Sequence, residues 1–447
     1  ESLAERELKV FRKKNVKYYY FERNGKPHIV APAVGHLFNL SSIDKKWFYP
    51  DFEYEWRPSY LVNKSSYFTK KYFNTLKELA VNADDVIIAT DYDVEGEVIG
   101  YNILRFLLER KNAKRMKFST LTKEELIRSY ENSMNTLDWG QLEAGLARHE
   151  IDWLWGVNLT RALTLSLRNN GSRVFYIIST GRVQGPTLYL LVKREEEIEN
   201  FKPKPYWQVL AVLKIGGLRY KTIYEEDKIW EREKAEKIFL ECNKKIAKVL
   251  IVKRKQYRQL PPPPFNTTDL QAEAYNQFGF SPIQIMNIAE SLYQKGIISY
   301  PRTSSQKLPS SIDLISILKS IGKLLPYSNI VNKILSNKEL RIAEGSKDDP
   351  AHPAIYPTKE VPDINSLSQQ ERKLYDLIVR RFLSAFGEDC IREAMRITFD
   401  INGKKFVLKG IRTLKEGWRE FYYPYVFEKD VLIPNLKEGE EVEVEKV

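Results

Sequence analysis

Four consecutive prolines, Pro261 to Pro264, constrain this chain more than any other feature. Each proline fixes φ and removes a backbone donor, so neither a helix nor an interior strand runs through them. They make a stiff connector, and the pattern differs on its two sides. Before it, Tyr206 to Arg258 alternates in the manner of strands around one short helix at Glu233 to Asn243. After it, Thr268-Asp-Leu-Gln271 has capping-box spacing and Gly279 stops that helix, while Ser281-Pro282 opens a second helix that Gly296 stops. The stretch from 269 to 388 reads as mainly helical. Strands return from Ile391, with Asn402-Gly403 marking a hairpin turn. A helical stretch between two β segments of similar character reads as an insertion, the β domain being left at Pro261 and re-entered after about residue 389.

Upstream, the period changes again. Lys17-Tyr-Tyr-Tyr-Phe21, His28-Ile-Val-Ala and Asp85-Val-Ile-Ile-Ala-Thr90 read as strands, and Lys70 to Ala80 and Glu95 to Arg110 as helices. That alternation predicts an α/β unit with a largely parallel sheet. From Lys123 to about Asn200 apolar residues recur at three- and four-residue spacing, which predicts an α-rich layer. At 447 residues and ~150 per domain, about three compact units are expected. Lys and Arg outnumber Asp and Glu by 71 to 59, a net charge of +12, which favours a polyanionic partner such as nucleic acid, a merely Lys-rich solvated surface being the alternative on charge alone. No window supplies ~18 uninterrupted apolar residues, so no membrane span is expected. Cys242 and Cys390 lie far apart with no CxxC, which excludes a disulfide scaffold or zinc ribbon and makes an intracellular chain the expectation.

The sharpest chemical signal is Asp91-Tyr-Asp93-Val-Glu95-Gly-Glu97, directly after an apolar strand. Three carboxylates at alternate positions on a strand-to-helix turn supply the hard oxygen donors that Mg²⁺ takes beside a phosphate. An EF-hand fails, because its twelfth position is Asn102 and a strand precedes the run. An acidic helix start that complements the macrodipole remains open. The second signal is Gly296-Ile-Ile-Ser-Tyr300-Pro-Arg302-Thr303, where a short strand is expected to end at Tyr300 and Pro301 to set the turn to Arg302. A phenol with a pKa of ~10 attacks phosphorus only with positive charge nearby, which Arg302 supplies. Taken alone, these eight residues fit a strand-end tyrosine packed on a proline somewhat better. Arg148-His149, Arg161, Arg182 with Gln184 at a helix start, and Arg380-Arg381 suit phosphate. His352, in a proline-bracketed loop, reads alone as structural or catalytic.

In their order, these segments resemble the type IA DNA topoisomerases, most closely the archaeal topoisomerase III type or the topoisomerase half of a reverse gyrase. The likeness rests on the acidic run, Gly181-Arg182-Val183-Gln184, Pro262 to Thr267, Tyr300-Pro301-Arg302-Thr303 and Ala351-His352-Pro353-Ala354-Ile355-Tyr356-Pro357-Thr358, and extends over the whole chain. It implies a multidomain α/β plus α plus β fold arranged as a torus. The parts would be a Toprim α/β domain at 1–130, an α-rich base at 131–202, a β-rich arch at 203–262 returning at 389–447, and an inserted helical tyrosine domain at 263–388. It further implies that one DNA strand is cleaved through a 5′-phosphotyrosyl intermediate, another strand passed and the break rejoined, relaxing or decatenating DNA without ATP. Tyr300, Arg302, His352 and Glu1 would be catalytic, Glu1 as the proton-transferring glutamate of the Toprim fold. Asp91, Asp93 and Glu95 would hold Mg²⁺, and Arg182, Gln184, Arg148, Arg161, Thr303 and Arg381 would bind DNA.

The implied partner is single-stranded or underwound DNA, met by a monomer in the cytoplasm at the nucleoid, with a helicase partner or a further C-terminal region left open. Departures from the family pattern are the compressed run from Leu3 to Phe11, Glu5 in place of a lysine, Val94 in place of arginine and Ser304 in place of aspartate. The start at Glu1, with no initiator Met, suggests a sequence that begins inside a longer one, and the end near Val447 suggests that the second half of the base lies elsewhere. The competing readings are a Toprim-type nuclease and a single-strand-binding fragment without activity.

Overall fold

The computed structural model describes residues 2–5, 7–44, 46–81, 83–169, 176–243, 245–426 and 428–447. The chain forms two compact units: Glu1–Phe201 with Gln294–Gly296 and Pro350–His352, and Lys202–Tyr293 with Ile297–Asp349 and Pro353–Val447.

In the first unit, Lys9–Lys13, Val16–Arg23 and Lys26–Val30 form an antiparallel three-stranded sheet, and Phe38–Ser42 pairs antiparallel with Tyr54–Pro58. The parallel pairing among the described residues is Ile87–Ile88 with Lys114–Arg115. The expected largely parallel sheet is therefore corrected. The reason is local: Lys14-Asn15 and Asn24-Gly25 all have positive φ, and a two-residue turn returns the chain alongside itself, whereas a parallel neighbour needs a crossover. Five helices of eight or more residues follow or flank these strands, at Thr69–Ala80, Val94–Leu107, Lys123–Glu131, Trp139–Asn169 and Gln184–Glu199. Val94–Leu107 packs on Trp139–Asn169 around Ile88, Val98, Leu104, Leu137 and Leu142. The approach is close at Gly145, where a Cβ would lie 2.6 Å from Val98 Cγ2 and 2.7 Å from the Val94 carbonyl oxygen.

In the second unit, six strands close a barrel in the order Ile246–Gln259, Cys390–Ile401, Lys404–Lys415, Leu218–Tyr224, Leu210–Ile215, Glu441–Lys446. Alternate residues such as Leu213, Val249, Phe399, Phe406 and Val444 fill its interior. Gln259 and Cys390 are register partners, so the chain leaves the barrel and comes back at facing positions. The helices Thr267–Phe278, Pro282–Gln294, Leu314–Ile321, Leu325–Leu335 and Gln369–Ser384 lie between them in sequence. The first of these is capped by Asn266, whose side chain accepts the Asp269 N–H, rather than by the Thr268 box. Gly279 ends it in the left-handed conformation, φ +71°.

Candidate functional site

In the first unit the acidic run turns directly from strand into helix. Asp93 is the N-cap of Val94–Leu107, with extended backbone, and its Oδ1 accepts the Gly96 N–H at 2.7 Å. Thr90 Oγ1 donates to the Gly96 carbonyl at 2.9 Å. The turn is so tight that a Cβ on Gly96 would lie 2.0 Å from the Asp91 carbonyl oxygen. Arg115 holds it from behind. Its Nε donates to Glu97 Oε1 at 2.5 Å, and its Nη atoms donate to the carbonyls of Thr90 at 2.7 Å, Met116 at 2.9 Å and Asp91 at 2.6 Å. Both Arg115 and Glu97 are fully buried. Burial pushes the Glu97 carboxyl above its usual range against the opposing Arg115 charge. Tyr92 donates to Asp138 Oδ2 at 2.7 Å, and burial next to that carboxylate drives its phenol pKa well above the ordinary value.

Glu95 lies at the first turn of the same helix. Its Oε2 accepts from His36 Nε2 and His149 Nε2, each at 2.9 Å, and its Oε1 lies 3.4 Å from Arg148 Nη1. The hydrogen bonds from His149 and His36 hold its carboxyl well below the usual carboxylate range. Arg148 Nε also approaches Asp152 at 3.9 Å, and Asp152 takes both arms of Arg182 at 2.6 and 2.9 Å, so Glu95, Arg148 and Arg182 belong to one charged network. Gln184 is the first residue of Gln184–Glu199. Arg161 differs: it is buried, with Nη1 2.6 Å from Asp51 Oδ2 and 3.1 Å from the Phe48 carbonyl oxygen, so its charge is engaged inside the unit.

Among the described residues, the one group of three His, Cys, Asp or Glu side chains with ligand atoms within 4.8 Å of one another is His36, Glu95 and His149. Asp91 and Asp93 are outside it. Their carboxylates are nevertheless hard donors on one turn, and Mg²⁺ takes one or two carboxylates while keeping several waters, so the donor chemistry fits that ion. Glu95, as placed, is held by imidazoles.

His352 belongs to the first unit and is buried. Its Nδ1 is 3.0 Å from Ser119 Oγ and its Nε2 is 3.0 Å from the Tyr92 carbonyl oxygen. Both ring nitrogens are thus engaged. Glu1 lies outside the described residues.

In the second unit, Tyr300 is buried, with its ring edge-on to Tyr293 at 5.3 Å. The expected strand before it is a single bridge, Ile298 with Pro357, because Pro357 has no N–H with which to extend a ladder. The turn beyond Tyr300 is clamped by Thr267, whose Oγ1 donates to the Pro301 carbonyl at 2.7 Å and accepts the Thr303 N–H at 2.9 Å. Thr303 is buried by this clamp, while Arg302 is exposed. Ser304 N–H and Oγ both reach Asp349 Oδ2 at 3.1 Å. Arg381 donates to the Pro263 carbonyl at 2.7 Å and stacks over Phe265 at 4.5 Å, so it anchors the end of the polyproline connector.

His36, Arg115 and Asp138 were not singled out from sequence, and Thr267 was marked only as the end of the Pro262 to Thr267 segment, with no role of its own. Only Thr267 had a local signal, since it follows the prolines and opens a helix.

A family model described as DNA topoisomerase matches residues 136–447, and one described as Toprim domain matches residues 11–121. The chain is 45% identical over 434 residues to DNA topoisomerase 1 of Pyrococcus horikoshii, covering 97% of this chain and 63% of that protein. It is 44% identical over 436 residues to DNA topoisomerase 1 of Methanocaldococcus jannaschii, covering 97% of this chain and 56% of that one. It therefore spans less than two thirds of these relatives. The full-length topoisomerase I structure from Thermotoga maritima superposes with a TM-score of 0.68 at 25% identity, covering 92% of this chain and 66% of that one. Among the described residues no helix is long and apolar enough to cross a membrane.

Proposed function

Because this chain belongs to the type IA DNA topoisomerases, we propose that it cleaves one strand of single-stranded or underwound DNA through a 5′-phosphotyrosyl intermediate at Tyr300, allows strand passage and rejoins the break. The observation that carries this reading is the Tyr300-Pro-Arg-Thr turn, set by Thr267 within the region matched by the topoisomerase family model. The Tyr300 phenol gives up its proton to solvent as its oxygen attacks phosphorus, the bond from phosphorus to the 3′ oxygen breaks, and the leaving oxygen takes up a proton, with Glu1 the group proposed to supply it. One phosphodiester replaces another, so cleavage and rejoining need no ATP. Exposed Arg302 neutralises charge growing on the phosphorane oxygens. His352 exchanges Ser119 or the Tyr92 carbonyl for a phosphate oxygen.

Toprim domains bind metal, and Mg²⁺ is the ion proposed here, held by Asp91, Asp93 and Glu95 and supplying positive charge beside the phosphate. The Glu97–Arg115 pair keeps the Asp91 backbone in place for that purpose. Arg182, Arg148 and Gln184 are proposed to contact the DNA backbone, and Thr303 to shape the nucleophile turn. Arg161 and Arg381 support the framework on which these groups sit. The proposed setting is the cytoplasm, at the nucleoid.

The test is to incubate the protein with Mg²⁺ and a 3′-end-labelled single-stranded oligonucleotide, quench with denaturant and follow the label. Wild type is expected to carry label on protein and Tyr300→Phe none. Labelled free fragments without an adduct would support a Toprim-type nuclease instead. DNA binding without cleavage would make this chain a binding fragment.

A further inference from the structure

We propose that His36, Glu95 and His149 form a binding site for a divalent transition metal of the Zn²⁺ class, distinct in chemistry from the Mg²⁺ set of the acidic run. Three separate parts of the first unit supply the donors. His36 precedes Phe38–Ser42, Glu95 sits in the first turn of Val94–Leu107, and His149 lies within Trp139–Asn169. Their Nε2, Oε2 and Nε2 atoms all lie within 4.8 Å of one another, and both imidazole nitrogens are 2.9 Å from the carboxylate oxygen. Donors ~2.1 Å from one metal ion are about 3.0 Å apart at right angles and about 3.4 Å apart at the tetrahedral angle. Both imidazole nitrogens already stand close to the right-angle spacing from the carboxylate oxygen, so drawing the two nitrogens, which lie within 4.8 Å of each other, onto one ion would complete a three-donor face.

The donors are also positioned from behind. Ser59 donates from Oγ to the His36 carbonyl at 2.8 Å and from its N–H to the Leu37 carbonyl at 2.9 Å, which fixes the backbone that carries His36. The His149 ring packs against both His36, at 4.9 Å, and Trp56, at 5.7 Å. Arg148 occupies the neighbourhood of Glu95 Oε1 and leaves Oε2 to the histidines. The three side chains are 24%, 35% and 24% exposed, so the face is open on one side for water or an anionic oxygen.

Two imidazoles and one carboxylate are a donor set for Zn²⁺, Co²⁺, Ni²⁺ or Fe²⁺. Mg²⁺ prefers oxygen donors and keeps its waters. On binding, each neutral imidazole carries its proton on Nδ1 and offers the Nε2 lone pair, while ionised Glu95 contributes one negative charge. A further consequence rests on the cleavage reading: Glu95 belongs to both sets, so Zn²⁺ competes with Mg²⁺ for it. Binding itself does not depend on that reading.

The test is a titration of the metal-free full chain with Co²⁺, without DNA or Mg²⁺, read by visible absorption. Ligand-field bands saturating at one equivalent, and lost on adding Zn²⁺, are expected. His36→Gln and His149→Gln should each weaken Co²⁺ binding by more than the roughly 10- to 100-fold that loss of a supporting hydrogen bond costs. Asp91→Asn with Asp93→Asn should retain the bands. His149→Cys should add a sulfur-to-cobalt charge-transfer band, a gain of signal that misfolding does not imitate. The proposal is overturned by the absence of bands at one equivalent, by bands that survive both histidine changes, by bands abolished in the Asp91/Asp93 variant, or by His149→Cys giving no new band. The adduct assay at Tyr300 is a separate measurement, so failure of one reading is distinguishable from failure of the other.

Discussion

Replacing Arg115 with Met strands the fully buried Glu97 carboxylate and takes the donors away from the carbonyls of Thr90, Asp91 and Met116. Removing one partner of a buried ion pair costs about 3–5 kcal/mol, because the remaining charge is left desolvated and uncompensated. Beside Arg115, the one other donor acting on the Glu97 carboxylate among the described residues is the Asp138 backbone N–H, which carries no compensating charge. At about 1.4 kcal/mol per factor of ten, amide exchange in Val94–Leu107 should accelerate by roughly 10²- to 4 × 10³-fold. Hydrogen exchange followed by mass spectrometry is the suitable assay, since it reads this helix separately from the rest of a two-unit chain. Arg115→Met combined with Glu97→Leu removes both charges and should recover part of the loss, but not all, because the three carbonyls still lack their donors. Exchange in Arg115→Met within threefold of wild type would refute the reasoning. So would a double variant whose cost equals the sum of the two single costs.

Gly96→Ala drives a methyl into the Asp91 carbonyl, so overpacking should cost at least about 1–3 kcal/mol and shift the acidic turn; an unchanged thermal melt would count against the tight approach. Thr267→Val leaves the Thr303 N–H without its acceptor, at about 1–3 kcal/mol, and cleavage should slow while DNA binding persists; normal cleavage would show that this clamp does not set the nucleophile turn. Glu78, hydrogen-bonded to Lys13 and Lys14, has its carboxyl pulled down to about 2. Because the folded value is depressed, its stabilising contribution is present above the ordinary pKa of ~4.3 and is lost as pH falls towards 2. Titration by NMR should find it there, and Lys13→Ala with Lys14→Ala should restore the ordinary range; a wild-type value near 4 would contradict the contact.

Local chemistry decides local structure, and that part was legible. Asn402-Gly403 forms the hairpin turn because both residues take positive φ, and Gly279 ends its helix for the same reason. Asn24-Gly25 has the same chemistry, and its positive φ values return Lys26–Val30 antiparallel to Val16–Arg23. The acidic run was visible because its three carboxylates are two residues apart. What surrounds Glu95 was not visible, since His36 and His149 are 59 and 54 positions away and no periodicity links them. The Arg115–Glu97 pair and the register of Gln259 with Cys390 are likewise products of packing. Turns and caps are settled by atoms within a few residues of one another, which the order of residues specifies directly. Convergence of distant donors depends on how helices and strands bury their apolar faces together, and only the tertiary structure decides that.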